Sequence, residues 1–113
     1  MRPAQRLRRR RDFSAVYRRG RTYRGQLLTL RALPNACSES RFGFTVAKVL
    51  GNAVTRNRLK RRLREAARSL AVAPGYDIVV NTRPGAPVAG FSALRQAMSD
   101  LMARAGLLKE SSP

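Results

Sequence analysis

Asn52-Ala-Val-Thr-Arg-Asn-Arg-Leu-Lys-Arg-Arg-Leu-Arg-Glu-Ala-Ala-Arg68 carries seven positive charges and one negative, and it also carries an apolar stripe. Leu59, Leu63, Ala66, Ala67 and Leu70 fall at i, i+4, i+7, i+8 and i+11. At about 100° per residue this spacing gathers them on one side of an α-helix, which is the side that meets a core. Asn57, Lys60, Arg61, Arg64 and Arg68 then share the opposite side, with no acid among them. A charge run is usually a solvated face, but a face built for solubility intersperses both signs to avoid self-repulsion. A single-sign face wants a polyanion. Thr55 is the expected N-cap, its hydroxyl accepting from the free amides of the first turn, and Arg64 and Arg68 suit the negative end of the helix dipole. Glu65 lies off the basic side within reach of Arg61, Arg62 and Arg68, and is expected to tether one of them.

Working outward, the whole chain shares the character of this segment. It has 113 residues, with 24 Lys plus Arg against 6 Asp plus Glu, a formal charge of +18. That length suits one domain with one modest core. The field of such a chain attracts nucleic acid or an anionic surface. Only Lys48, Lys60 and Lys109 are lysines; guanidinium groups fork onto phosphate oxygens and stack on bases, which suits RNA. No apolar run approaches the roughly 18 residues of a membrane span. Cys37 stands alone, so neither a disulfide nor a cysteine metal cage is expected, and one free thiol fits a reducing, cytoplasmic setting. Met1 to Arg24 resembles a mitochondrial presequence in its arginine content, but the same segment supplies an aromatic helix, which favours reading it as part of the domain.

That helix is expected from Asp12, its cap, to Arg19, closed by Gly20 in the left-handed conformation. Phe13, Val16 and Tyr17 fall on one side of it. Phe13 and Tyr17 could simply be core, or could line a groove where unstacked bases lie against a ring and arginines hold the phosphates. After a turn at Arg24 and Gly25, Leu27 to Leu33 reads as a strand, and Arg41 to Ala47 as a second, the two forming an antiparallel hairpin. In the second strand Phe42, Phe44 and Val46 face helices, while Gly43, Thr45 and Ala47 leave room for a ligand backbone. Tyr76 to Thr82 reads as a strand parallel to it, reached through the basic helix in a βαβ unit. Phe91, Leu94, Met98, Leu101 and Ala105 mark a covering helix that ends at Gly106. Residues 1–11 are expected to form a basic arm without fixed structure, and 109–113 a frayed tail.

The chain has no histidine, so the usual general base and commonest metal ligand are missing. Its acids are scattered, and no glycine-rich phosphate loop, zinc spacing or serine nucleophile motif occurs. If it serves a reaction, a partner carries the catalytic groups.

At Gly43-Phe-Thr-Val-Ala-Lys48 and Gly51-Asn-Ala-Val-Thr-Arg56-Asn57-Arg58-Leu-Lys60-Arg61-Arg62-Leu-Arg64-Glu65 the sequence resembles the bacterial ribonuclease P protein component. The resemblance extends to Asp12-Phe13, Tyr17 and Gly20, to the Gly75-Tyr-Asp-Ile-Val-Val strand and to Arg104-Ala-Gly-Leu-Leu, and so covers nearly the whole chain. It implies an α+β fold, a single αβββαβα domain whose small mixed sheet packs with helices, with a left-handed crossover through the basic helix in place of the right-handed default. It implies a catalytic RNA partner that removes the 5′ leader of precursor tRNA by Mg²⁺-dependent hydrolysis, with magnesium bound chiefly by the RNA. Arg56, Asn57, Arg58, Lys60, Arg61, Arg62, Arg64 and Arg68 would meet that RNA, with Asn57 a candidate for holding a metal ion. Phe13, Tyr17, Phe44, Lys48 and Arg64 would line the cleft for the leader. Val49 stands where the family often has a second lysine, and Arg31 where relatives often have an aromatic. The reading that composition alone would support equally well is a small ribosomal or other structural RNA-binding protein; a membrane-active cationic protein would lack the strands and spaced turns. No membrane and no further protein partner is expected.

Overall fold

Alternation in the strands settles the layers. In β2 (Leu28–Pro34) every second residue, Leu28, Leu30 and Ala32, is buried, which sends Thr29, Arg31 and Leu33 to the other side. In β4 (Tyr76–Thr82) Ile78, Val79 and Val80 are all fully buried, as befits a strand covered on both sides. The computed structural model describes residues 5–109. Along them run α1 (Arg10–Arg19), β1 (Arg21–Arg24), β2, β3 (Arg41–Thr45), α2 (Ala53–Arg68), β4 and α3 (Phe91–Arg104), with short 3-10 turns at Lys48–Leu50 and Ala86–Val88. The sheet order is β1-β2-β4-β3: β1 and β4 are antiparallel to β2, and β3 is parallel to β4.

One side of this mixed sheet carries α2 and α3. Leu59, Leu63, Ala66 and Ala67 of α2 meet Leu94, Met98, Leu101 and Met102 of α3 over Leu28, Leu30, Phe42, Ile78 and Val80. Each fully buried leucine there contributes roughly 1.5–3 kcal/mol of transfer free energy. The other side carries α1, where the buried set is Leu7, Val16 and Val79, with Phe13 and Leu33 packed against it.

Several expectations are corrected. The strands at Leu28–Pro34 and Arg41–Thr45 do not form a hairpin, because β4 lies between them. The hairpin is β1 with β2, turned at Gly25, and β1 is the third strand before α2 that the resemblance implies. β3 ends at Thr45, and Ala47 precedes a 3-10 turn. α1 begins at Arg10, so Asp12 sits in its first turn and does not cap it. Gly20 is extended (φ −73°), since its N–H closes the helix on Val16 and the chain passes straight into β1. α2 starts three residues early: the Asn52 side chain accepts from the Thr55 amide at 2.9 Å, leaving Thr55 inside the helix. Phe91 is largely exposed at the start of α3, and Met102 is buried in its place. The described part of the N-terminal arm is tied down, with the Leu7 amide donating to the Phe42 carbonyl at 2.9 Å. Lys109 likewise donates to Ala71 at 2.8 Å. The rest of both expected loose ends, 1–4 and 110–113, lies outside the described residues.

Candidate nucleic-acid interface

α2 is set up by the residues just before it. Gly51 has φ 154°, which side chains disfavour, and a Cβ there would fall 2.9 Å from the Thr55 methyl. The turn releases Asn52 to cap the helix. Arg56 then folds back, donating to the Gly51 carbonyl at 2.9 Å and holding the preceding turn. Arg62 points to the far side and donates to Ala89 at 3.5 Å. Arg68 pairs with Glu65 at 3.0 Å on the surface, as expected of that acid. Three of the eight candidates on this helix are therefore engaged by their own chain. Asn57, Arg58, Lys60, Arg61 and Arg64 make no hydrogen bond or ion pair with any described residue, and of these Asn57, Arg58 and Arg61 are exposed. Asn57 to Arg68 runs roughly 16 Å along the helix axis. The row is continuous and its cations are largely available.

Beside this row a cavity of about 190 Å³ opens, lined by Phe13 of α1, Gly43 and Phe44 of β3, Lys60 and Arg64 of α2, and Arg6 of the arm. Gly43 shapes it by what it lacks. A Cβ at that position would sit 2.4 Å from the Phe13 ring, so the expected small-residue side of β3 receives an aromatic ring there. Phe44 stacks on Phe42 with ring centroids 6.1 Å apart. The cavity thus offers ring faces and apolar walls with three cations at its rim.

Tyr17, one turn beyond Phe13, is 44% exposed. The Arg31 guanidinium lies 4.8 Å over its ring, Arg31 Nη1 donates to Asn81 Oδ1 at 2.8 Å, and Asn81 Nδ2 donates to the Tyr17 hydroxyl at 2.7 Å. These three side chains fix one another. α1 itself is braced over the sheet by Arg41, whose guanidinium forks onto Asp77 at 2.8 and 2.7 Å and lies 3.7 Å from Asp12. Hydrogen bonding to Asp77 raises the Arg41 pKa. Asn35 also donates to Asp77 at 2.7 Å, satisfying a carboxylate that is almost wholly buried.

The candidate leader residues Phe13, Phe44 and Arg64 come together in one cavity. Tyr17 lies on Phe13's side of the sheet, over Arg31 and Asn81, whereas Lys48 is exposed in the turn before α2 and does not line the cavity. Sequence reasoning placed Lys60 only on the helix row and missed Arg6, Arg31 and Asn81. The alternation in β2 was the available signal for Arg31, which lies between the core residues Leu30 and Ala32; β4 is buried on both sides and gave no such signal for Asn81.

Residues 1–106 match the family model described as Ribonuclease P. The chain belongs to the ribonuclease P protein family. The ribonuclease P protein component of Dehalococcoides mccartyi is 39% identical over 111 residues, spanning 98% of this chain and 92% of that protein. That of Roseiflexus castenholzii is 44% identical over 112 residues, spanning 96% and 92%. The RNase P protein of Staphylococcus aureus, solved at 2.0 Å, superposes with a TM-score of 0.84 at 25% identity, over 93% of this chain and 98% of that one. The Thermotoga maritima protein gives 0.81 at 31% identity, over 88% and 96%. Membership makes this chain the protein subunit of a ribonuclease P, with an RNA subunit as partner; RNA binding and tRNA processing fit the family. Among the described residues no group of three or more His, Cys, Asp or Glu could hold a metal ion. No helix there is long and apolar enough to cross a membrane.

Proposed function

We propose that this subunit grips its catalytic RNA along the exposed row of α2 and holds the 5′ leader of precursor tRNA in the cleft between α1, β3 and α2, while the RNA carries out leader removal. The observation that carries this reading is the meeting of Phe13, Phe44, Lys60 and Arg64 around Gly43, directly beside the row of Asn57, Arg58 and Arg61. Ring faces accept unstacked bases of any sequence, and cations at the rim accept the phosphates between them. Tyr17, held by Arg31 and Asn81, continues that track across the sheet. Lys48 adds a cation at the turn before α2.

Magnesium would be held mainly by RNA oxygens. On the basic row the neutral oxygen donor is the Asn57 amide, flanked by cations, so the side chains there do not compose a magnesium site of their own. What the row supplies is charge that lets RNA phosphates and their metal ions approach closely. The working compartment would be the cytoplasm, where precursor tRNA and a reduced Cys37 thiol are both at home.

Reconstitution tests this directly. Added to its cognate catalytic RNA at low Mg²⁺, the chain should stimulate 5′ maturation of precursor tRNA. Binding of the RNA should also weaken on the order of a thousandfold from low to moderate salt if about six phosphates are neutralised. Tight binding without stimulated maturation would instead indicate a structural RNA-binding protein.

A further inference from the structure

Another cavity lies toward the β1 edge of the sheet, away from the cleft at β3. Arg21 and Tyr23 of β1 share the side of Leu28, Leu30 and Ala32, because Arg21 pairs with Ala32 and Tyr23 with Leu30. Tyr76 joins them from β4, one register step beyond, where it pairs with Pro34. Ala32 is the small side chain in a row that otherwise presents leucine, and there the packing opens into a cavity of about 340 Å³. Leu107, following α3, closes its far wall, and Arg19, at the end of α1, reaches its rim.

The chemistry of this cavity is uniform. Arg19 and Arg21 make no ion pair or hydrogen bond with any described residue, and no acid among the described residues lines the space. Tyr23 and Tyr76 rest their rings against the main core while their hydroxyls find no partner among the described residues. Two ring edges over an apolar floor, two donor-or-acceptor hydroxyls and two guanidinium groups with no partner among the described residues match a base, a ribose and a phosphate respectively. The volume lies within the range of sites that enclose a small ligand.

We infer that this cavity is a second RNA-binding site, which takes one unpaired nucleotide with its phosphate on Arg19 and Arg21 and its base beside Tyr23 and Tyr76. The inference rests on the chain's being an RNA-binding subunit but not on the leader cleft, since the two cavities share no lining residue. The nucleotide could belong to the catalytic RNA or to the precursor tRNA.

Photocrosslinking in the assembled holoenzyme distinguishes these sources. In one arm the catalytic RNA carries 4-thiouridine, in the other the precursor tRNA does, and the labelled peptides are mapped by mass spectrometry. Label on Tyr23 or Tyr76 is expected in one arm, which identifies the source. The Arg19→Ala, Arg21→Ala double variant should reduce that label about fivefold or more, through loss of two phosphate contacts, while label on Phe13, Tyr17 and α2 stays within about twofold. Label confined to Phe13, Tyr17 and α2 would overturn the inference and leave the proposed function standing, as would label on Tyr23 or Tyr76 that survives the double substitution. No label at any of these positions would overturn both.

Discussion

On the side of the sheet covered by α2 and α3, Leu28, Leu30, Ile78 and Val80 are fully buried; on the side covered by α1, the same two strands present Thr29, Arg31 and Asn81, and the buried set is Leu7, Val16 and Val79. The first side has two helices above it, the second has one. A single short helix cannot cover four strands, and the uncovered remainder is polar, cationic and bordered by Phe13 and Tyr17. The well-covered side thus supplies most of the stability, while the thin side leaves room for the proposed leader cleft, and α2 serves both through its two faces.

The largest effect should come from breaking the well-covered side. Leu63→Ala should destabilise the domain by about 3 kcal/mol in urea unfolding, because it leaves a cavity among fully buried neighbours. Phe13→Ala, on the thin side, should cost about half as much despite the larger ring removed, since that ring is only partly buried. Equal losses would erase the distinction between the two sides. Next in size, Gly43→Ala should cost roughly 1–3 kcal/mol, because the added methyl overlaps the Phe13 ring and forces it to shift. Its heteronuclear NMR spectrum should change most at Phe13 and Leu7.

Smaller in stability but specific in function, the Arg58→Ala, Arg61→Ala double variant should keep its unfolding free energy within about 0.5 kcal/mol, both side chains being exposed and without a partner among the described residues. Its affinity for the catalytic RNA should fall about tenfold, with the log–log salt slope shallower by about two, in a filter-binding titration. Smallest of all, Val49→Lys should tighten RNA binding by about two- to threefold at low salt, since Val49 is 89% exposed in the turn beside Lys48 and a lysine there adds one phosphate contact.

Much of the fold and of the site is legible in the sequence. The 3.6-residue spacing of Leu59, Leu63, Ala66 and Ala67 fixes the two faces of α2, and the apolar run Ile78-Val-Val80 marks a strand buried on both sides. Parallel pairing of β3 with β4 follows from the helix between them. What escaped depended on partners distant in sequence. β1, Arg21-Thr-Tyr-Arg, is an edge strand whose residues are mostly exposed, so it has neither apolar alternation nor length to announce itself. β4 enters between β2 and β3 because its two apolar faces require covering on both sides, a preference invisible in the short loop that suggested a hairpin. Asn52 and Thr55 are both good caps, and the backbone at Gly51 decides between them. In the site, Phe13 is core and groove at once: its ring packs on Leu7 and Val79 while lining the cavity beside Arg64. Arg31 and Asn81 become a site only when Tyr17 is folded over them.

The leader is proposed to lie across the thinly covered side of the sheet, past Phe13 and Tyr17. The direct measurement is the affinity of the holoenzyme for precursor tRNA with a long leader against the same tRNA without one, for wild type and for the Phe13→Ala, Tyr17→Ala double variant. Wild type should favour the long leader by about tenfold or more, as expected for stacking of one or two bases, and the double variant should lose that preference while binding the leaderless tRNA unchanged. A variant that keeps the full leader preference would contradict the claim.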